Sequence, residues 1–360
     1  MEKHEDTYLL SSYHYHLPQE LIAQEPVEPR DSSKLMVCYL TEDRVEHRVF
    51  RELEEIVSRE DVIVLNDTKV IPARARGKKP TGGKVEVLFL NPHEHTPLQA
   101  LIKGRVKEGG VVELPISRKP NDVVKVKLVR HINQGRFEVE VESIEDIGRF
   151  LSKYGEMPVP PYIQKPLERK DRYQTVFSRA LGSVAAPTAG LHFTHHLMER
   201  LRKKGVKILT ITLHVSVGTF LPVRENDIRD HRMEPEYFMI GPEVVRVIEE
   251  KRELIAVGTT VVKTLESAFH LSQGDSNLKT EGWSDLFIYP GHRFLSPLKG
   301  MLTNFHLPSS TLIMLVSAYA GRDRILKWYR EAVKRRYRFY SFGDAMYLKG
   351  KPLSQEPKKQ

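Results

Sequence analysis

The 360-residue sequence predicts an α/β protein interrupted by an inserted all-β domain. Three observations lead there. Apolar runs of strand and helix length alternate before Val70 and again after Tyr173. Between them lie short period-two runs separated by Gly, Pro and Asn, the pattern of a barrel or sandwich. The proline-rich MPVPPYIQKP from Met157 cannot continue a ladder and returns the chain to the main domain. At roughly 150 residues per domain the length fits two domains. The expected boundaries are 1–69 and 157–348 for the main α/β domain, 70–156 for the insertion and 349–360 for a flexible tail.

Each element has its own signal. A short helix or turn follows Leu17-Pro18. Leu35 to Leu40 is a strand, Arg51 to Arg59 a helix, and Asp61 to Leu65 a buried strand. The insertion carries strand runs from Lys84, Leu98, Val111, Val123 and Arg136. Ser143 with Asp146 resembles a capping box for a helix that stops at Gly155. Thr194 can cap a helix from His195 to Lys204, closed by Gly205, and Val206 to Val215 follows as a strand. Further helices are expected at Val244–Glu253 and Val261–His270, with strands at Leu254–Val257 and Leu286–Tyr289. Thr311–Ala320 is apolar all round and therefore a buried helix, with Ser309 or Ser310 as its cap.

Composition narrows the class. With 56 Lys+Arg against 47 Asp+Glu the net charge is +9, which suits an anionic partner such as a nucleic acid. The single cysteine, Cys38, lies in the apolar run LMVCYL, so no internal disulfide can form and a reducing compartment fits. No signal peptide opens the chain, and the longest apolar stretch is far short of the ~20 residues that span a bilayer. A cytoplasmic monomer without membrane contact is expected.

Four blocks carry candidate chemistry. AVGTTVVKTLES (Ala256–Ser267) is a strand turning through Gly258, Thr259 and Thr260 into a helix, with Thr260 as its natural cap. Lys263 then opposes the macrodipole, which suggests an anion at that helix end, although a solvated lysine explains it equally. SVAAPTAGLHFT (Ser183–Thr194) packs small residues around Pro187, Thr188 and Gly190, letting a ligand approach the backbone beside His192 and Phe193; a tight turn with a packed histidine is the bland reading. In LHVSVGTFLPVRENDIRDH (Leu213–His231), Gly218, Thr219 and Phe220 offer a bend and an aromatic face, while Arg224, Asp230 and His231 bring charge without a core role. LTNFHLPSSTLIMLVSAYAG sets Asn304, Phe305 and His306 ahead of the buried helix. His192 and His196 lack the glutamate of a zinc-protease pattern, so no metal is expected. GKKPTGGK at Gly77 lacks the lysine of a phosphate loop, and no G-x-G-x-x-G follows a strand.

Together with LPQELIAQEPVEPRDSSKLMV, LNDTKVIPARARG, TGGKVEVLFL, YQTVFSRALGSVAAPTAGLHFT and YRFYSFGDAMYL, these blocks resemble one family over nearly the whole chain: the S-adenosylmethionine:tRNA ribosyltransferase-isomerases of queuosine biosynthesis. The resemblance implies a mixed-sheet α/β domain with an inserted antiparallel β-barrel. It also implies transfer of the ribosyl part of S-adenosylmethionine onto 7-aminomethyl-7-deazaguanine at the tRNA wobble position, giving epoxyqueuosine-tRNA, adenine and methionine. S-adenosylmethionine is then a co-substrate, with no cofactor permanently bound, and the partner is a tRNA anticodon loop. Lys34 and Lys263 stand where members more often carry arginine, and His292 stands for a common aromatic.

Such a reaction needs a base at the 5′ carbon, acid help for the departing adenine and exclusion of water. His192, His214, His306, Asp67 and Asp344 are the titratable candidates, a histidine being favoured as base because its ordinary pKa lies near working pH. Substrate contacts are expected from the small-residue and charged positions named above and from Glu266. Basic stretches at Arg74–Lys79 and Lys334–Arg338 are candidates for tRNA phosphates, or else solvated faces. A noncatalytic RNA-binding protein and a methyltransferase are the competing classes.

Overall fold

The computed structural model describes residues 6–90, 97–117, 122–133, 135–142, 144, 146–167, 169–216, 223–273 and 277–353. It divides into two compact units: Met1–Thr68 with Pro161–Arg179 and Ala186–Gln360, and Lys69–Pro160 with Ala180–Ala185. Against the expected 70–156, the second unit begins at Lys69, runs on to Pro160 and takes in Ala180–Ala185.

The first unit is built on a mixed sheet of nine strands. In chain order they are β1 (Lys34–Tyr39), β2 (Arg44–Val49), β3 (Val62–Asn66), β12 (Lys207–Leu213), β13 (Glu236–Ile240), β14 (Leu254–Val257), β15 (Glu281–Ser284), β16 (Leu298–Asn304) and β17 (Ala345–Lys349). Across the sheet they run β15-β13-β12-β3-β14-β16-β17-β1-β2. The central four, β12, β3, β14 and β16, are parallel, and antiparallel strands flank them. Strand β3 is buried at every position, as a strand covered on both faces must be. From β3 the chain moves to one side for β12 and then to the other for β14, so the sheet has a switch point between β3 and β14. In such sheets a crevice opens at the carboxyl ends of the strands.

The helices are α1 (Leu53–Ile56), α3 (His195–Lys204), α4 (Pro242–Glu249), α5 (Thr259–Leu271), α6 (Thr311–Ala320) and α7 (Arg322–Lys334), with α2 (Ile147–Tyr154) in the second unit. Thr194 caps α3, accepting from Leu197 N at 3.1 Å, and Gly205 ends it in the left-handed region at φ +100°. Ser310, not Ser309, caps α6. Phe50, Leu53, Phe193, Leu197 and Leu201 pack with Ile63, Leu65, Ile255 and Leu302 in one core cluster. None of the helices among the described residues is long and apolar enough to cross a membrane.

The second unit contains a closed barrel, β10-β7-β6-β5-β8-β9. Its strands are β5 (Arg74–Lys78), β6 (Lys84–Phe89), β7 (Gln99–Lys103), β8 (Val111–Pro115), β9 (Val123–Asn133) and β10 (Arg136–Val141), all paired antiparallel. Burial alternates along β6, with Val85, Val87 and Phe89 inward, as the period-two pattern requires. β4 (Thr68–Val70) pairs with β11 (Ala180–Ser183). The residue that follows α2, Gly155, has no room for a side chain: a Cβ there would stand 1.8 Å from Pro72 O.

Several expectations need correction. Leu286–Tyr289 is not a strand; the edge strand lies just before it, at β15. The helix expected over Arg51–Arg59 is a 3-10 turn followed by the single turn α1. Asp146 is itself the cap of α2, accepting from Arg149 N, while Ser143 lies outside the described residues. Strand β5 hides in the basic run Arg74–Lys79, where Arg74 faces Glu86 at 3.6 Å and Arg76 meets Glu156 at 3.1 Å. Strands β2, β13, β16 and β17 and helix α7 were not expected. Lys349 belongs to β17, so the terminal segment stays in register one residue into the supposed tail, and Pro352 is buried.

Candidate active site

The carboxyl ends of the four parallel strands deliver the chemistry-bearing segments to one place. Asn66 ends β3, Val215 follows β12, Gly258 follows β14, and Thr303 and Asn304 end β16. Asn66 ties three of these ends together. Its amide donates to Leu213 O at 3.1 Å and to Thr260 Oγ1 at 3.3 Å, and its carbonyl accepts from Leu213 N and Thr68 N. The signal in the sequence is a polar residue closing the apolar run VIVL; Asn66 is not among the expected site residues, whereas its neighbour Asp67 is.

An open hollow of about 420 Å³ lies there, lined by Ala186, Pro187, Thr188, Ala189, Val215, Gly258, Thr259, Thr260, Thr303, Asn304, His306 and Leu312. A second of about 390 Å³ shares Thr259, Thr260 and Leu312 with it and adds Met233, Glu236, Lys263, Leu286, Phe287 and Ile288. Gly258 (φ +96°) is the cap of α5, and no side chain caps this helix. Its first turn is thus presented to the shared rim, where developing or resident negative charge is favoured. Thr260, expected as cap, is the second helical residue.

Lys263 does not wait for an anion. Its ammonium donates to Glu236 Oε2 at 2.8 Å, and both side chains are buried. Glu236 Oε1 accepts from Ser216 N at 2.8 Å, so the pair holds the turn after β12 against β13 and α5. The anion that the misplaced lysine implied is the protein's own.

The histidines separate by environment. His306 lines the first hollow, its Nε2 sharing a hydrogen bond of 2.8 Å with Thr303 Oγ1, and burial pushes its pKa down to about 3. His192 sits outside that hollow, with Nδ1 2.7 Å from Ser33 Oγ and its ring stacked on Phe50. Burial pushes it down to about 3 as well, with Arg338 adding to the shift and Asn304 opposing it. Both imidazoles are therefore neutral at physiological pH but far weaker bases than an ordinary histidine. His214 is half-buried at the end of β12, with Nδ1 2.8 Å from Thr68 Oγ1 and its ring stacked on Tyr237.

Other expected residues do structural work. Asp67 is buried under Arg179 Nη2 at 2.7 Å and accepts from Thr212 Oγ1 at 2.7 Å. Asp344 accepts from Lys34 N at 2.9 Å and Arg338 N at 2.8 Å, pinning the turn before β17 to the start of β1; burial raises its pKa. Phe193 and Phe305 are core residues, Phe305 packing among Tyr329, Tyr337 and Phe339. Gly190 is forced by crowding, since a Cβ would lie 2.7 Å from Phe177 Cζ. Glu266 is buried on α5, accepting from Leu295 N and Ser296 N, and does not line either hollow. Arg224 and Asp230 are exposed, and His231 pairs with Glu225 at 3.0 Å beside Phe287. Gly218, Thr219 and Phe220 lie outside the described residues. Lys34 donates to Arg335 O and Arg336 O beyond α7, both at 3.2 Å, rather than facing a hollow.

Residues 10–348 match the family model described as queuosine biosynthesis protein. The chain belongs to the queuosine biosynthesis protein family. It is 45% identical over 346 residues to the S-adenosylmethionine:tRNA ribosyltransferase-isomerase of Desulforamulus reducens, covering 94% of this chain and 99% of that one. The protein of the same name from Clostridioides difficile is 46% identical over 350 residues, covering 94% and 98%. The crystal structure of the S-adenosylmethionine tRNA ribosyltransferase from Thermotoga maritima aligns with a TM-score of 0.53 at 36% identity, covering 94% of this chain and all of that one. The mixed sheet and inserted antiparallel barrel that the resemblance implied are thus the fold of this family member.

Proposed function

We propose that the protein is an S-adenosylmethionine:tRNA ribosyltransferase-isomerase that builds epoxyqueuosine on the wobble base of tRNA. The observation that carries this is the convergence of Thr188, Val215, Gly258–Thr260, Asn304 and His306 on one crevice at the carboxyl ends of β12, β14 and β16. The first hollow is walled by uncharged groups and two amide- or hydroxyl-bearing strand ends, which suits a nucleoside. A sulfonium acidifies the neighbouring 5′ C–H. A base removes that proton, the resulting ylide expels adenine and opens the ribose, the aminomethyl nitrogen attacks, and an alkoxide displaces methionine to close the epoxide.

His214 is our candidate for the base. It is half-buried next to Val215, whereas His192 and His306 are too deeply buried to be basic. His306, neutral throughout, is suited to hydrogen-bond the substrate from the wall of the hollow. The reading carries with it a cytoplasmic monomer, a tRNA anticodon loop as partner and no resident cofactor.

The test is mass spectrometry after incubation with 5′-deuterated S-adenosylmethionine and tRNA bearing the aminomethyl deazaguanine. Adenine and methionine in equal amounts, with loss of deuterium, are expected. S-adenosylhomocysteine would make the protein a methyltransferase, and unaltered cofactor a binding protein. His214→Asn should retain the label; exchange at the wild-type rate in that variant removes His214 from the role.

A further inference from the structure

Glu266, His270 and His292 form a cluster outside both hollows in which one ligand atom from each lies within 4.8 Å of the others. Glu266 and His270 stand one turn apart on the same face of α5. His292 comes from the segment between β15 and β16. Its Nε2 lies 3.0 Å from Glu266 Oε2, and His270 Nε2 lies 3.8 Å from the same oxygen. Bonds of about 2.0–2.1 Å at tetrahedral angles place ligand atoms about 3.3 Å apart, between these two spacings.

Two further features point to a cation. His270 Nε2 is buried without a hydrogen-bond partner, 3.8 Å from Glu266 Oε2, while its Nδ1 accepts from the Gln273 amide at 3.3 Å, so Nε2 carries a proton that finds no acceptor and that a cation would replace. Glu266 is held rigidly by Leu295 N, Ser296 N and Ser296 Oγ, the oriented outer shell that metal-binding carboxylates need. His270 remains 30% exposed, leaving one side of the cluster open to water.

We propose that Glu266, His270 and His292 bind one divalent cation of the zinc class, with water as the fourth ligand. Binding shifts the ring protons of His270 and His292 from Nε2 to Nδ1, the former at the cost of the 3.3 Å hydrogen bond from Gln273, and lets both Nε2 atoms coordinate; no redox step is involved. The cation would clip the Tyr289–Ser296 segment to α5. Leu286, Phe287 and Ile288, immediately before that segment, line the second hollow, so the clip would restrain one of its walls.

Equilibrium dialysis of the untagged full-length protein with Zn²⁺, and visible spectroscopy with Co²⁺, test this. One equivalent should bind with micromolar or tighter affinity, and cobalt should give tetrahedral d–d bands. His270→Asn and His292→Phe should each weaken binding at least about tenfold without lowering the metal-free melting temperature by more than a few degrees. Should His292→Phe not fold, the more exposed His270→Asn decides alone. Absence of stoichiometric binding, or undiminished affinity in the folded variants, overturns the site.

Discussion

Lys263→Met should lower the unfolding free energy by about 3–5 kcal/mol, because it leaves the Glu236 carboxylate buried without its cation. The two charges are 2.8 Å apart, with side chains 8% and 3% exposed, so little water is at hand to replace the lost partner. Adding Glu236→Gln should restore all but about 1–2 kcal/mol, since the amide oxygen still accepts from Ser216 N while the charge is gone. Urea unfolding of the single and double variants reads both effects. A loss below about 1 kcal/mol in the single variant would mean that the pair is solvated as a surface bridge is.

Acid should destabilise the protein well before its carboxylates titrate. His192 and His306 are held near a pKa of about 3, whereas in the unfolded chain they titrate near the ordinary 6.5. Between those values the unfolded chain binds protons that the native state refuses, so stability rises with pH across the window. It is fully present above about 6.5 and falls by about 1.4 kcal/mol per unit per histidine below it. From pH 7.5 to 5 the two together should cost about 4 kcal/mol, to which the partly buried His47 and His270, also held down by burial, add in the same direction. His306→Gln should flatten the dependence by about half. A flat unfolding free energy over that interval would place water against both imidazoles.

What could be read from the sequence follows from the range of the forces involved. Five of the six barrel strands, all but the basic β5, were legible because alternation is a local property: Val85, Val87 and Phe89 point inward whatever their partners. Thr194 and Ser310 were legible as caps because a cap acts over three residues. Strand β17 was not, since its pairing with β1 joins residues some three hundred positions apart in the chain. The site blocks were visible as small residues and histidines, but their roles depended on burial. His192 looked like His306 in sequence and differs by facing Ser33 and Phe50 instead of the hollow. Lys263 looked like an anion receptor because its partner Glu236 lies 27 positions away, on β13.

Filling the first hollow tests most directly whether the reacting nucleoside lies at the strand ends. Thr188 is half-buried on its wall, and Thr188→Trp places an indole in the space while leaving the core untouched. In a variant with wild-type thermal stability, kcat/KM for S-adenosylmethionine should fall at least about a hundredfold, about 2.7 kcal/mol of transition-state binding. Ribosyl transfer within about threefold of wild type would put the nucleoside elsewhere.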